Sequence, residues 1–285
     1  KADADCSNHA PTFFTRKRLT KIITQIRDGS GYRDVDSWTL THLFPTPGDK
    51  MSAALWLDKI QHTGHVGGTA STPPIDLDGV EMPNRVDGLE GLAPMMKWRV
   101  GSIDNGTGGR LMVNYSDTEC TRSALPEPHA NGKRCFPVYW APEGALEPVR
   151  DWFHKYVAEQ VQEADLTGGS PIVQTSYRYL GSPAWAYDDQ ELVPHERRTW
   201  SEWRGYEKVQ VIAGSATDRQ VVTEHLFFRG MHGDRQPNGG KRVVYVTDSQ
   251  GGKVEDHWRL NGFERETRYL TGPDAGEEAG TINDP

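Results

Sequence analysis

Apolar residues fall into short runs of alternating or β-branched character, and glycine-bearing turns separate many of them. Residues 19–26, with Leu19, Ile22, Ile23 and Ile26, lead through Asp28-Gly29-Ser30-Gly31 into residues 32–44, which hold Trp38, Leu40 and His42. Residues 98–103 pass through Asn105-Gly106-Thr107-Gly108-Gly109 into 111–115. The plan returns at 206–212 and 220–228 across Ala213-Gly214-Ser215, and at 241–247 and 253–258 across Asp248-Ser249-Gln250-Gly251-Gly252. Each pair reads as a β-hairpin, because strand-forming runs broken by a Gly-containing turn are its sequence signal. Leu19, Ile22, Ile23 and Ile26 also fit helical spacing; their β-branched content and the glycine turn behind them favour a strand. Residues 55–60 read as the first half of a further unit.

Residues 151–164 lack Gly and Pro and place Phe153, Tyr156, Val157 and Val161 near helical spacing, yet they also alternate. The β-rich context on both sides favours strand here too. The fold class is therefore mainly β: an antiparallel β-hairpin array forming a curved sheet. Residues 1–285 are read as a single β-rich segment of a larger protein, with irregular Pro/Gly-rich insertions at 63–97 and 120–135. The spacing of the hairpins is irregular, which describes a degenerate array and not a strict solenoid. The aromatic residues at hairpin ends, Trp38, Trp56, Trp98, Tyr115 and Trp258, are expected to be buried in a continuous antiparallel sheet.

Composition agrees with many turns, since 30 Gly and 18 Pro suit short strands better than long helices. Nine Trp, ten Tyr and eight Phe supply the large side chains that a core needs. A net charge of −8, from 40 acidic against 32 basic residues, disfavours nucleic acid as a general partner. The one basic cluster, Arg16-Lys17-Arg18, reads as the charged approach to a strand edge. No run of about 18 apolar residues occurs, so no transmembrane helix is expected. The start at Lys1 carries no apolar leader, as the start of an internal fragment would.

Cys120 and Cys135 flank a loop rich in Pro and Gly, and a disulfide between them is expected. Closing a loop of about 15 residues stabilises by roughly 3 kcal/mol in the chain-entropy model, given an oxidising compartment. An extracellular setting, secreted or on the cell surface, is the expected one for such a bond. Cys6 is left over, and its partner is expected upstream.

Candidate chemistry is sparse. His62 and His65 stand three apart with Asp58 nearby, but no local cluster completes a zinc shell. Asp76-Leu77-Asp78-Gly79 resembles the start of a calcium loop whose twelfth position, Asp87, is not the required Glu. Gly-x-Ser-x-Gly and phosphate-loop motifs are absent. Forty acidic residues offer too many pairs to single out a glycosidase couple. No metal, cofactor or catalytic residue is therefore assigned. Trp185, Trp200, Trp203 and Tyr206 are close in sequence, as in a glycan platform, which requires an exposed coplanar row; core packing would bury them.

Three sets of residues carry a resemblance. Asp36-Ser37-Trp38-Thr39-Leu40-Thr41-His42 with Pro45-Thr46-Pro47-Gly48-Asp49 and residues 55–64 form the first, and Asp151-Trp152-Phe153-His154-Lys155-Tyr156-Val157 the second. The third joins residues 200–206 to Phe228-Arg229-Gly230-Met231-His232-Gly233-Asp234. Together they resemble the region ahead of the YD repeats in large actinobacterial Rhs-repeat proteins. The resemblance implies a wall, or a β-domain before it, of an Rhs-type shell of antiparallel strands that encloses a C-terminal effector domain in polymorphic toxins and toxin complexes. Its partners would be the remainder of the parent chain and that effector, and it would not be an enzyme. A carbohydrate-binding surface module and a hydrolase are the alternatives. The chain departs from the family in having no regular Tyr-Asp series and no self-cleaving Asp-Pro core motif.

Overall fold

The computed structural model describes residues 16–87, 91–142, 144–217, 219–273 and 275–285. The first half of the chain forms β1 (Lys21–Asp28), β2 (Gly31–Leu43), β3 (Trp56–Gly64), β4 (Ala70–Ser71), β5 (Ile75–Pro83), β6 (Met96–Asp104) and β7 (Gly109–Tyr115). There follow β8 (Cys135–Trp140), β9 (Val149–His154), β10 (Ala158–Asp165), β11 (Val173–Leu180), β12 (Ala184–Tyr187) and β13 (Trp200–Gly205). The last are β14 (Lys208–Ala213), β15 (Val221–Phe227), β16 (Tyr245–Thr247), β17 (Lys253–Glu255), β18 (Glu264–Leu270) and β19 (Glu277–Ile282).

Thirteen of these strands make one open antiparallel sheet in the order β1-β2-β3-β5-β6-β7-β10-β11-β14-β15-β18-β19, with β4 on β3. The chain thus adds each strand beside the one before it, apart from three hairpins, β8/β9, β12/β13 and β16/β17, that leave the sheet and return. Because every pairing is antiparallel, β7, β11 and β15 run the same way, and all three hairpins emerge at one end of the sheet. The connections 44–55 and 84–95 lie at that end as well. The opposite end carries the shorter turns, such as Asp28 to Gly31 and residues 105–108.

The hairpins predicted at 19–44, 98–115 and 206–228 are present as β1/β2, β6/β7 and β14/β15. Residues 151–164 are strand, with a break at 155–157 between β9 and β10. Residues 63–97 are not wholly irregular. Ile75–Pro83 is a strand of the main sheet. Its prolines Pro73, Pro74 and Pro83 sit before or at the strand ends, where a missing N–H is tolerated, and they hid the strand in the sequence. The hairpin at 241–258 is also smaller than predicted, with three-residue strands β16 and β17 outside the main sheet.

The two faces of the sheet differ. On one, side-chain hydrogen bonds cross from strand to strand: Ser102 Oγ to Asp78 (3.3 Å), Asn114 Nδ2 to Gln160 (2.8 Å) and Gln162 Nε2 to Gln174 (3.2 Å). The series continues with Arg178 Nη1 to Gln210 (3.4 Å), Gln210 Nε2 to Glu224 (2.9 Å) and Arg268 Nη1 to Glu224 (3.0 Å). Register puts these residues opposite one another, as cross-strand pairing requires. The other face carries the rows Leu77-Ile103-Leu111, Val113-Val161-Thr175-Ala213-Val221 and Tyr177-Val211-Thr223-Tyr269, in which no residue is buried.

Buried apolar residues gather where the inserted hairpins meet the sheet. Val86, Cys120, Cys135 and Trp152 form one cluster, Ala184, Ala186 and Met231 a second, and Leu226, Phe228 and Val246 a third. A fourth, Ile212, Val222 and Leu270, lies on the polar-ladder face. Alternation in β15 buries Val222, Glu224 and Leu226 and turns Val221, Thr223 and His225 the other way. The expectation that hairpin-end aromatics are buried fails. Trp38, Trp56, Trp98 and Tyr115 are half-buried, and Trp258 lies outside the sheet with 59% of its surface exposed. Among the described residues the strands on which the first four stand are covered only in part, by connections such as 44–55, which bind β5 and β6 through Gly48 and Asp49.

Candidate functional site

The aromatic stretch 185–206 is brought together by β12 and β13, which pair Trp185 with Trp203 and Tyr187 with Trp200. Trp185 is 3% exposed; its indole N–H donates to the Lys133 carbonyl at 2.9 Å, and its ring stacks on Phe136 at 4.9 Å. Trp203 meets Trp185 edge-on at 65° and Tyr206 edge-on at 74°. Tyr206, also buried, accepts a hydrogen bond from Arg134 at 3.2 Å. Trp200 donates to the Arg235 carbonyl at 3.0 Å. Trp185, Trp200, Trp203 and Tyr206 are thus not an exposed coplanar platform. They pack edge to face, the geometry aromatic quadrupoles favour, and tie the inserted hairpins to each other.

Cys120 and Cys135 are disulfide-bonded, with Cα atoms 6.2 Å apart, and both are buried beside Val86 and Trp152. Asn131 reinforces the loop by donating to the Cys135 carbonyl at 2.5 Å. Cys6 lies outside the described residues. Next to the disulfide, Arg85 is wholly buried and spends its guanidinium on the carbonyls of Ala93 (2.8 Å) and Leu92 (2.6 Å) and on Asp151 (3.5 Å). Sequence reasoning missed this group, because backbone carbonyls as partners leave no residue pattern.

The two histidines of the His62/His65 pair go to different partners. His62 Nε2 lies 2.8 Å from Asp36 and 5.1 Å, ring to ring, from Trp38, whereas His65 Nε2 lies 2.9 Å from the Ser37 hydroxyl. Ser37 is 2% exposed, which closes that hydroxyl to a substrate. Asp76 and Asp78 sit in β5 on the polar face, Asp76 bound to Lys59 and Asp78 to Ser102, so the calcium-like motif is strand and not loop. Among the described residues no three His, Cys, Asp or Glu side chains are grouped to hold a metal ion.

His154, at the end of β9, is 8% exposed and its Nδ1 has no hydrogen-bond partner among the described residues. Burial, with the nearby Arg99 charge, holds its pKa below the usual 6.5. The same surroundings lower the Lys155 pKa, and Lys155 lies 5.4 Å from the Trp203 ring.

Clefts open among the inserted hairpins. The first, about 660 Å³, is lined by Asn131, Ser182, Lys208, Arg229 and Arg242 among others. Its two arginines are engaged, Arg229 with Glu207 at 2.8 Å and Arg242 with Asp234 at 2.9 Å. The second, about 640 Å³, lies between β12/β13 and β16/β17 and contains Trp258. Comparison with protein-family models, with curated proteins and with solved structures found no match.

Proposed function

We propose that the chain is a non-catalytic wall segment of a larger, secreted Rhs-type protein, whose neighbouring strands continue the sheet and whose shell shelters or presents a C-terminal effector domain. The observation that carries this reading is the pair of open edges. Among the described residues β1 and β19 each pair on one side only, and all of their residues are exposed. β1 is eight residues long and holds Ile22, Ile23 and Ile26 at 43–45% exposure. An open edge of this length is an aggregation hazard unless something pairs with it or charges blunt it; Lys21 and Arg27 lie near the two ends of β1, yet Ile22, Ile23 and Ile26 between them remain exposed for pairing. The apolar rows, in which no described residue is buried, support the reading in the same way, since a stable structure covers such a face with another layer.

In this role the sheet needs no reactive group. Its hydrogen-bond ladders give lateral continuity, the polar rows fix register, and the inserted hairpins thicken one rim. Hydrogen–deuterium exchange on the isolated chain and on its parent protein tests the proposal. Amides of β1 and β19 should exchange freely in the first and gain protection in the second. Equal exchange in both would show that nothing extends the sheet and would remove the wall reading.

A further inference from the structure

Trp258 stands on a short 3-10 turn, Trp258–Leu260, whose backbone is firmly held. Two residues earlier, the fully buried Asp256 carboxylate accepts hydrogen bonds from the amides of Arg229 (2.8 Å), Gly230 (2.7 Å) and Met231 (3.0 Å). The Asp256 carbonyl accepts a further one from the His232 amide at 2.8 Å. Two residues later, Leu260 packs against the Leu226, Phe228 and Val246 cluster. Gly230, at φ +69°, lets the chains approach so closely that a Cβ there would lie 2.9 Å from the Trp258 Cα.

Trp258 as a residue is 59% exposed, with the His257 ring 5.8 Å from its own, and it lines the 640 Å³ cleft together with Tyr187, Glu202, Arg204 and Glu255. A large aromatic on a backbone fixed in this way, lining a polar cleft, offers a stacking surface with little backbone order left to impose on binding. Glu202 is likewise positioned in advance, accepting from Arg204 at 2.8 Å. Carboxylates outnumber lysine and arginine in the lining, which disfavours acidic ligands. The Arg259 guanidinium already sits 5.3 Å from the indole centroid, so a ligand cation on the same ring would meet a like charge.

We propose that this cleft binds a neutral saccharide, with the C–H face of a pyranose stacked on Trp258 and its hydroxyls donating to Glu202 and Glu255. This aromatic is distinct from those packed inside β12/β13, and the proposal stands independently of the wall reading. The test is to probe immobilised neutral oligosaccharides, their sialylated counterparts and an oligolysine peptide with the whole chain, and to obtain affinities by titrating tryptophan fluorescence. Neutral glycans should bind. Trp258→Ala should weaken them by about ten-fold or more, the scale of one aromatic contact, and Glu202→Gln should also weaken them. Both variants should melt with the parent chain. Absence of neutral-glycan binding at millimolar concentration, unchanged affinity in Trp258→Ala, or a preference for sialylated glycan or oligolysine would each overturn the proposal.

Discussion

Replacing Arg85 with methionine should destabilise the protein far more than loss of an ordinary surface charge. The Arg85 side chain is 0% exposed and its partner Asp151 is 5% exposed, whereas Asp87, 3.6 Å away, is 92% exposed and contributes a screened interaction. Methionine matches the length of the aliphatic stem but leaves the Leu92 and Ala93 carbonyls without their donors. It also leaves Asp151 as a buried charge, supported among the described residues by the Trp152 amide (2.8 Å) and the Trp140 indole (3.3 Å). Breaking one side of a buried pair costs about 3–5 kcal/mol. With an unfolding entropy of about 2.1 cal/mol/K per residue over 285 residues, that corresponds to a fall in Tm of roughly 5–8 °C. Arg85→Lys, which keeps the charge but not the fork, should fall between. Adding Asp151→Leu to Arg85→Met should recover part of the loss, because the stranded charge is then gone. Arg33→Met, at an exposed pair 3.8 Å apart, should cost less than about 1 kcal/mol. Thermal melts followed by circular dichroism measure all four variants. An Arg85→Met protein melting within about 2 °C of the parent would refute the reasoning, since its carbonyl partners would then be free to find water.

Three further outcomes are expected. Cys120→Ser with Cys135→Ser should cost about 3 kcal/mol, given a separation of 15 residues, and a reducing agent should reproduce the loss in the parent; a melt insensitive to reductant would contradict it. His154 should titrate below 6.5 by NMR. Because its folded pKa is depressed, its contribution is complete above the unfolded value and is lost as pH falls towards the folded one, so His154→Gln should flatten the stability profile just below pH 6.5. A pKa at or above 6.5 would be inconsistent with its burial. Gly230→Ala should be clearly more destabilising than Gly233→Ala: both have positive φ, but a Cβ meets the Trp258 backbone at the first and nothing within 4 Å at the second. Equal losses would mean that the close approach to Trp258 is not maintained.

Local features were the legible ones. Turn glycines between strand-forming runs located β1/β2, β6/β7 and β14/β15, because a hairpin is decided by residues within one turn of each other. The Cys120–Cys135 bond was legible for the same reason, a short loop with a thiol at each end. Burial was not legible, because it depends on which layer lies above a strand. Trp185 and Trp258 are indistinguishable by residue type, yet one is sealed against Phe136 and the other faces a cleft. Arg85 and Asp256 are likewise buried by backbone groups that any residue could supply. β5 was masked by its flanking prolines, although Ile75, Leu77, Val80 and Met82 keep much of the strand pattern.

The one-sided placement of the inserted hairpins divides strand pairing into two kinetic classes. Pairings closed by a short turn, such as β6 with β7 and β18 with β19, need only a few residues to be ordered before contacts form. Pairings that bracket an insertion, β7 with β10, β11 with β14 and β15 with β18, must close a loop several times longer, and each doubling of a flexible loop adds about 0.6 kcal/mol of entropy. The three insertions divide the sheet into the blocks β1–β7, β10/β11, β14/β15 and β18/β19, which are expected to form early and to join sideways later, once residues 116–157, 181–207 and 228–263 have collapsed enough to bring their ends together. A nascent chain would carry uncovered hairpin edges until each insertion is compact, which makes the rate of insertion folding the step that sets how long the growing sheet is open to wrong partners.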